Sequence, residues 1–192
     1  MVTVNLLHIY DSDDTLMRQT APFQSWHESD IKQVGVRGGV KGLRRELDKL
    51  LYYGWTFGKI VFQTHGSSGG ISFAQERLNR DRLLSEFDNR GYEKLFPMVQ
   101  TRMYFNGCNV ADGDRGWSFL ETAASIFLKT MGGVSFGHTS VGFAMHPAVS
   151  MFLMSGIVYP LVAGKTVHPW GETRYVYVGP GGKFVKREVR QN

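Results

Sequence analysis

Two residues in this chain of 192 have side chains suited to acyl transfer. One is His65 within THGSSGGI at 64–71, and the other is Cys108 within YFNGCNV at 104–110. Cys108 is the single cysteine, so no internal disulfide and no C-x-x-C zinc pair competes for it. A thiol attacks only as thiolate and needs a base or a favourable field beside it. An imidazole can take that proton near neutral pH and return it to a leaving amine. The glycines beside them, Gly66 and Gly107, would leave backbone N–H groups open to a developing oxyanion. The competing reading is a buried spacer, because lone cysteines are among the most buried residue types and are mostly inert packing.

Both residues follow apolar runs, so the elements that deliver them can be read. VTVNLLHIY at 2–10 is a β-rich run closed by Asp11, Ser12, Asp13 and Asp14, as a buried strand ending in a turn. Residues 11–40 show no sustained periodicity and carry Gly35, Gly38 and Gly39, which predicts a long loop or a hairpin. Val40, Leu43, Leu47, Leu50 and Leu51 recur at helical spacing up to Gly54. GKIVFQTH gives a second strand ending at His65, followed by the flexible GSSGG. Asn79–Phe87 reads as a helix, and TRMYFNG as a third strand ending at Cys108. A helix over Arg115–Met131 puts Phe119, Ala123, Ile126, Phe127 and Met131 on one face, and Gly132 and Gly133 stop it. VSFGH is a fourth strand, Met151–Val162 holds a further element, and RYVYVGPGGKFVKREV is a hairpin.

Alternating strands and helices imply an α/β fold in one domain over 1–192, with a mainly parallel sheet between helices and a C-terminal β-hairpin. In such sheets sites form beyond the carboxyl ends of strands. His65 and Cys108 stand at two such ends, and a single crossover joins their strands.

Composition bounds the partners. With 22 Lys plus Arg against 17 Asp plus Glu the net charge is +5, but the basic residues are scattered, so no nucleic-acid partner is expected. Val141–Gly164 lacks Asp, Glu, Lys and Arg. Pro147, Pro160, Gly142 and Gly156 interrupt it, so no membrane span is expected. The opening MVTVNLLHIYDSDD has no positive n-region and reads as a strand, which predicts a cytoplasmic protein or one delivered by a route that needs no signal peptide. The remaining histidines, among them His138 after the fourth strand, have no metal-ligand spacing, so no metal or cofactor is expected. GVRGGVKG lacks the Gly-Lys-Ser/Thr ending of a P-loop.

The chain order and motifs resemble the caspase-like cysteine peptidases of clan CD. The closest pattern is that of bacterial caspase-like domains: HGxxGxI, a strand, GCNVAxGxxGxxF, a helix and a further strand. The resemblance runs over about residues 55–142, and His65 lies 43 positions before Cys108, near the ~50 of caspases. It implies a caspase-like three-layer sandwich, with His65 as general base, Cys108 as nucleophile, and the N–H groups of Gly66 and Cys108 as oxyanion donors. It also implies a protein or peptide substrate and endopeptidase activity, as in a bacterial effector or toxin. Asn106 departs from the pattern, since family members that cut after basic residues carry an acidic residue there, and the region from about Pro147 matches no motif. Asp11, Asp13, Asp112, Asp114 and His138 are the candidates for contacting substrate. For Asp112 and Asp114 helix capping is the favoured role, for Asp11 and Asp13 a turn, and for His138 a structural one. The alternatives are a catalytically silent binding or assembly module, and acyl transfer on a non-protein amide.

Overall fold

The computed structural model describes residues 2–24, 30–144, 166–167 and 171–191. β1 (Val2–Asp11), α1 (Thr15–Gln24), β2 (Ile31–Val36), α2 (Gly39–Tyr52) and β3 (Trp55–Gln63) come first. β4 (His65–Ser67), β5 (Gly70–Phe73) and β6 (Glu76–Asn79) follow, then α3 (Arg80–Phe87) and a 3₁₀ turn at Tyr92–Leu95. β7 (Thr101–Asn106), α4 (Gly113–Phe127) and β8 (Gly133–His138) precede the short β9 (Phe143–Ala144) and β10 (Thr166–Val167). β11 (Glu172–Val178) and β12 (Phe184–Gln191) complete the order.

Seven strands form one sheet in the order β12-β11-β8-β7-β3-β1-β2. β2, β1, β3, β7 and β8 run parallel, and β11 and β12 join antiparallel as the C-terminal hairpin. Helices α2, α3 and α4 cover one face of the parallel strands, and α1 packs on the other over β1, while on that face Arg102 of β7 is exposed and Tyr104 and Phe136 of β7 and β8 are half-buried. On one face Leu7, Ile9, Phe62 and Phe105 join a continuous apolar cluster with Val40, Leu43 and Leu47 of α2, Leu83 of α3 and Phe119, Ala123 and Phe127 of α4. Phe105 stacks on Phe62 at 5.0 Å and meets Phe119 edge-on at 4.8 Å, which ties β3, β7 and α4 into one block. Truncating a buried ring of that kind costs about 3–5 kcal/mol. On the other face the alternate residues His8, Gln33 and Gln63 reach α1 by hydrogen bonds. The result is the three-layer arrangement that the alternation predicts.

Three expectations are corrected. Residues 11–40 are not a loop or hairpin: they hold α1 and β2. Among the residues of α1 whose burial is described, Met17, Thr20 and Ala21 are buried, a stripe too short and mixed to stand out, and Pro22 lies inside the helix, where it is normally excluded. GSSGG is not simply flexible, because it lies within a three-stranded antiparallel sheet, β4-β5-β6. That sheet turns at Ala74 and Gln75, both left-handed at φ 47° and 66°, where Asn-Gly would be usual. α4 is shifted to Gly113–Phe127, which leaves Met131 beyond the helix and 41% exposed. Met151–Val162 lies outside the described residues, as does most of the uncharged stretch. Among the described residues no helix is long and apolar enough to cross a membrane.

The buried link to α1 carries a pH signature. His8 is fully buried and lies 2.8 Å from Gln63 Oε1 through Nε2, with Gln33 Nε2 3.4 Å from Nδ1. Burial pushes its pKa down from 6.5 to about 4, against the opposing Gln63 hydrogen bond. The unfolded chain therefore takes a proton at this position near pH 6.5, and the folded chain does so only near pH 4. Stability is complete above that window and falls by on the order of 3 kcal/mol as pH drops through it. Urea midpoints measured between pH 7 and 4 are expected to show this loss, and His8→Gln is expected to flatten it. An equally steep loss in the variant would assign it to other groups.

Candidate functional site

β3 and β7 pair in parallel with Gln63 opposite Asn106 as the last partners. His65 and Cys108 each stand two residues past that pair, so the register brings the chain to both residues at the same level. Contact between the two strand ends is direct. A Cβ added to Gly66 would lie 2.5 Å from Cys108 O and 2.9 Å from Cys108 N, and one added to Gly107 would lie 3.1 Å from Gly66 N. Only glycine lets the two backbones approach this closely. The amides of Gly66 and Cys108, named from sequence as oxyanion donors, are thereby neighbours. The Cys108 N–H has no hydrogen-bond acceptor among the described residues.

His65 is the first residue of β4 and its side chain is 56% exposed. Its Nε2 lies 3.0 Å from Asp14 Oδ2. Asp14, immediately before α1, uses its other oxygen to accept the N–H of Met17 at 2.9 Å, as a helix-capping carboxylate does. Partial burial alone would raise the Asp14 pKa, but the Met17 N–H and the His65 hydrogen bond and charge hold it below the usual value. With Nε2–H donated to this carboxylate, the neutral ring carries its lone pair on Nδ1, which is the nitrogen free to take a proton from a thiol.

Cys108 is half-buried and opens a tight loop in which Asn109 is left-handed at φ 54°. The segment after β8 runs alongside: Asn109 N–H donates to Ser140 O at 2.9 Å and Ala111 N–H to His138 O at 3.0 Å. Gly142 N–H donates to Cys108 Sγ at 3.3 Å, with Gly142 O 3.7 Å from the same sulfur. From the opposite side Ser68 Oγ donates to Asp112 O at 2.8 Å and Gly69 N–H to Val110 O at 3.1 Å. Arg174 Nη1 donates to Ala111 O and Gly113 O, both at 2.9 Å. The Cys108 loop is thus fastened by the His65 loop, the β8 extension and β11.

The other residues named from sequence have these places. Asp11 is buried, with Oδ2 accepting Ala74 N–H at 2.8 Å and Oδ1 accepting Asp13 N–H at 3.1 Å. Asp13 accepts Gly38 N–H at 2.8 Å. Both aspartates do turn work, and both line a cleft of about 470 Å³ with Asp14, His65, Ser72 and Gln75. Cys108 is not part of that lining. Asp112 and Asp114 are exposed at the start of α4, with Asp112 in the cap position but its carboxylate making no capping hydrogen bond. His138 has Nε2 2.9 Å from Tyr104 Oη and Nδ1 2.9 Å from Thr173 Oγ1. Tyr104 in turn donates to Asn106 Oδ1 at 3.1 Å. His138 therefore belongs to a polar chain joining β7, β8 and β11, with both ring nitrogens engaged.

Sequence reasoning missed Asp14 as the partner of His65 and Gly142 as the donor to Cys108. The first had a signal, an aspartate before a helix, which was hidden because the helix itself was not read. The second is a backbone amide and has none. Comparison of the chain with protein-family models, with curated proteins and with solved structures finds no match.

Proposed function

We propose that this chain is a cysteine peptidase with a caspase-like arrangement, acting on a peptide bond of a partner protein. The observation that carries the reading is the register that sets His65 and Cys108 at one level beyond two adjacent parallel strands, with Gly66 and Cys108 backbones in contact. His65 Nδ1 takes the Sγ proton, and the thiolate adds to the scissile carbonyl carbon. The carbonyl oxygen becomes an oxyanion facing the N–H groups of Gly66 and Cys108. Collapse of this intermediate breaks the C–N bond, the imidazolium gives its proton to the leaving amine, and a thioester remains on Cys108. Water, deprotonated by His65, adds to the thioester, and collapse releases the carboxylic acid and restores the thiol. Asn106 is buried beneath the site and supplies no charge, so a preference for basic side chains would have to come from elsewhere.

The test is covalent capture. Peptidyl acyloxymethyl ketones bearing varied side chains are expected to add one peptidyl group to the intact protein at Cys108, and none to Cys108→Ala, as read by intact mass. One observation favours the silent binding module instead: Cys108 Sγ already sits against both polar atoms of Gly142. That reading predicts no adduct with any probe.

A further inference from the structure

His65 is mostly exposed and its Asp14 contact alone would be one surface pair among many, which rarely fixes a side chain. The surroundings of this pair differ. Asp14 is held by α1 through Met17 N–H, and α1 is fastened to the sheet by groups that are wholly buried. Gln63 Nε2 donates to Thr20 Oγ1 at 2.6 Å, and both residues are fully buried. Gln63 Oε1 accepts from His8 at 2.8 Å, and Gln33 donates to Ala21 O at 3.1 Å. Gln63 is also the residue two positions before His65. The chain from Asp14 to Thr20, the Thr20–Gln63 hydrogen bond, the chain from Gln63 to His65 and the His65–Asp14 bond therefore close a ring. A ring of short segments with a buried clasp cannot swing the way an isolated surface pair can, so the entropic cost of orienting the imidazole is met in folding.

We propose that Asp14 is a positioning residue for His65, and that the buried Thr20–Gln63 hydrogen bond holds α1 so that this carboxylate stays on the imidazole. The inference rests on the reading of His65 and Cys108 as a catalytic pair. Its role is to fix the ring with Nδ1 available and to favour the imidazolium that forms when the thiol gives up its proton. The charged groups lining the cleft at His65 are Asp11, Asp13 and Asp14, with no Lys or Arg among them. Asp11 and Asp13 already accept backbone N–H groups elsewhere, which leaves Asp14 as the carboxylate bonded to the ring.

Asp14→Asn separates the two jobs of the residue, because asparagine caps a helix as well as aspartate does but brings no charge. The experiment measures the second-order rate of Cys108 alkylation by iodoacetamide from pH 5 to 9, with a thermal melt of each variant. Asp14→Asn is expected to melt with wild type and to label at least tenfold more slowly at pH 7. The difference is expected to close near pH 9, where a thiol ionises without help. Thr20→Val, which removes the acceptor of Gln63, is expected to slow labelling at pH 7 severalfold and lower the melting temperature, and Thr20→Ser is expected to restore both. Wild type labelling no faster than its own unfolded chain would overturn the catalytic pair itself. Fast wild type with unchanged Asp14→Asn would overturn the role of Asp14 and leave it a cap. Slow Asp14→Asn together with a Thr20→Val variant that is less stable but labels normally would overturn the role of the buried clasp.

Discussion

Replacing His65 with alanine is expected to lower peptide turnover by about 10²–10⁴-fold, the range over which a positioned general base acts, while leaving the melting temperature close to wild type. The asymmetry follows from where the side chain lies. It is 56% exposed, and its side-chain partner among the described residues is Asp14 at 3.0 Å. Removing it opens no cavity in the apolar cluster beneath the sheet, in which His65 has no part. Asp14 keeps its capping bond to Met17, so α1 keeps its start. What disappears, in the proposed mechanism, is the acceptor for the Cys108 proton and the donor for the leaving amine. Steady-state kcat/KM with a cleaved peptide, beside a melt, checks this. A variant that loses activity and unfolds early would make His65 structural, and one that keeps activity would remove it from the mechanism.

The second large effect belongs to a residue with no side chain. Gly66→Ala would place a Cβ 2.5 Å from Cys108 O, 2.5 Å from Val110 Cγ2 and 2.9 Å from Cys108 N. Real Cβ atoms do not approach so closely, and two of the three obstacles are backbone, so the His65 and Cys108 loops must part. Overpacking of this kind costs about 1–3 kcal/mol, and displacement of the reacting groups by about 1 Å can cost on the order of 100-fold in rate. Loss in both readouts is therefore expected. Gly137→Ala is the matched control in the adjacent strand, since its added Cβ meets Phe105 O at 3.5 Å and Val110 Cβ at 3.6 Å, ordinary contact distances. It is expected to change stability by less than about 1 kcal/mol. Equal effects in the two variants would mean that the contact between the loops is not what constrains the site.

Much of this architecture was legible because its elements are strongly patterned. The α2 stripe of Val40, Leu43, Leu47 and Leu50, the β-rich run of β1 and the glycine-centred terminal hairpin each carry a clear pattern. The positions of His65 and Cys108 followed from strand ends. What stayed hidden depends on tertiary partners. α1 buries Thr20 against Gln63 beside Met17 and Ala21, so a polar residue interrupts a short buried stripe and the apolar period is hard to read. Asp11, Asp13 and Asp14 are alike as a turn sequence, and only the fold separates their tasks: Asp11 on Ala74, Asp13 on Gly38 and Asp14 on His65. The β5–β6 turn escaped for the opposite reason, because Ala74 and Gln75 hold left-handed backbone without the residues that announce it. Asp11 supports that turn from β1, which explains how an unfavourable turn persists.

The central claim is that His65 activates Cys108, and the rate of Cys108 alkylation at pH 7 tests it most directly, compared among native wild type, native His65→Ala and urea-unfolded wild type. Activation predicts that native wild type labels at least tenfold faster than the unfolded chain, despite the half-buried sulfur, and that His65→Ala loses this advantage. Native labelling no faster than unfolded, or fast labelling that persists without His65, would contradict the account.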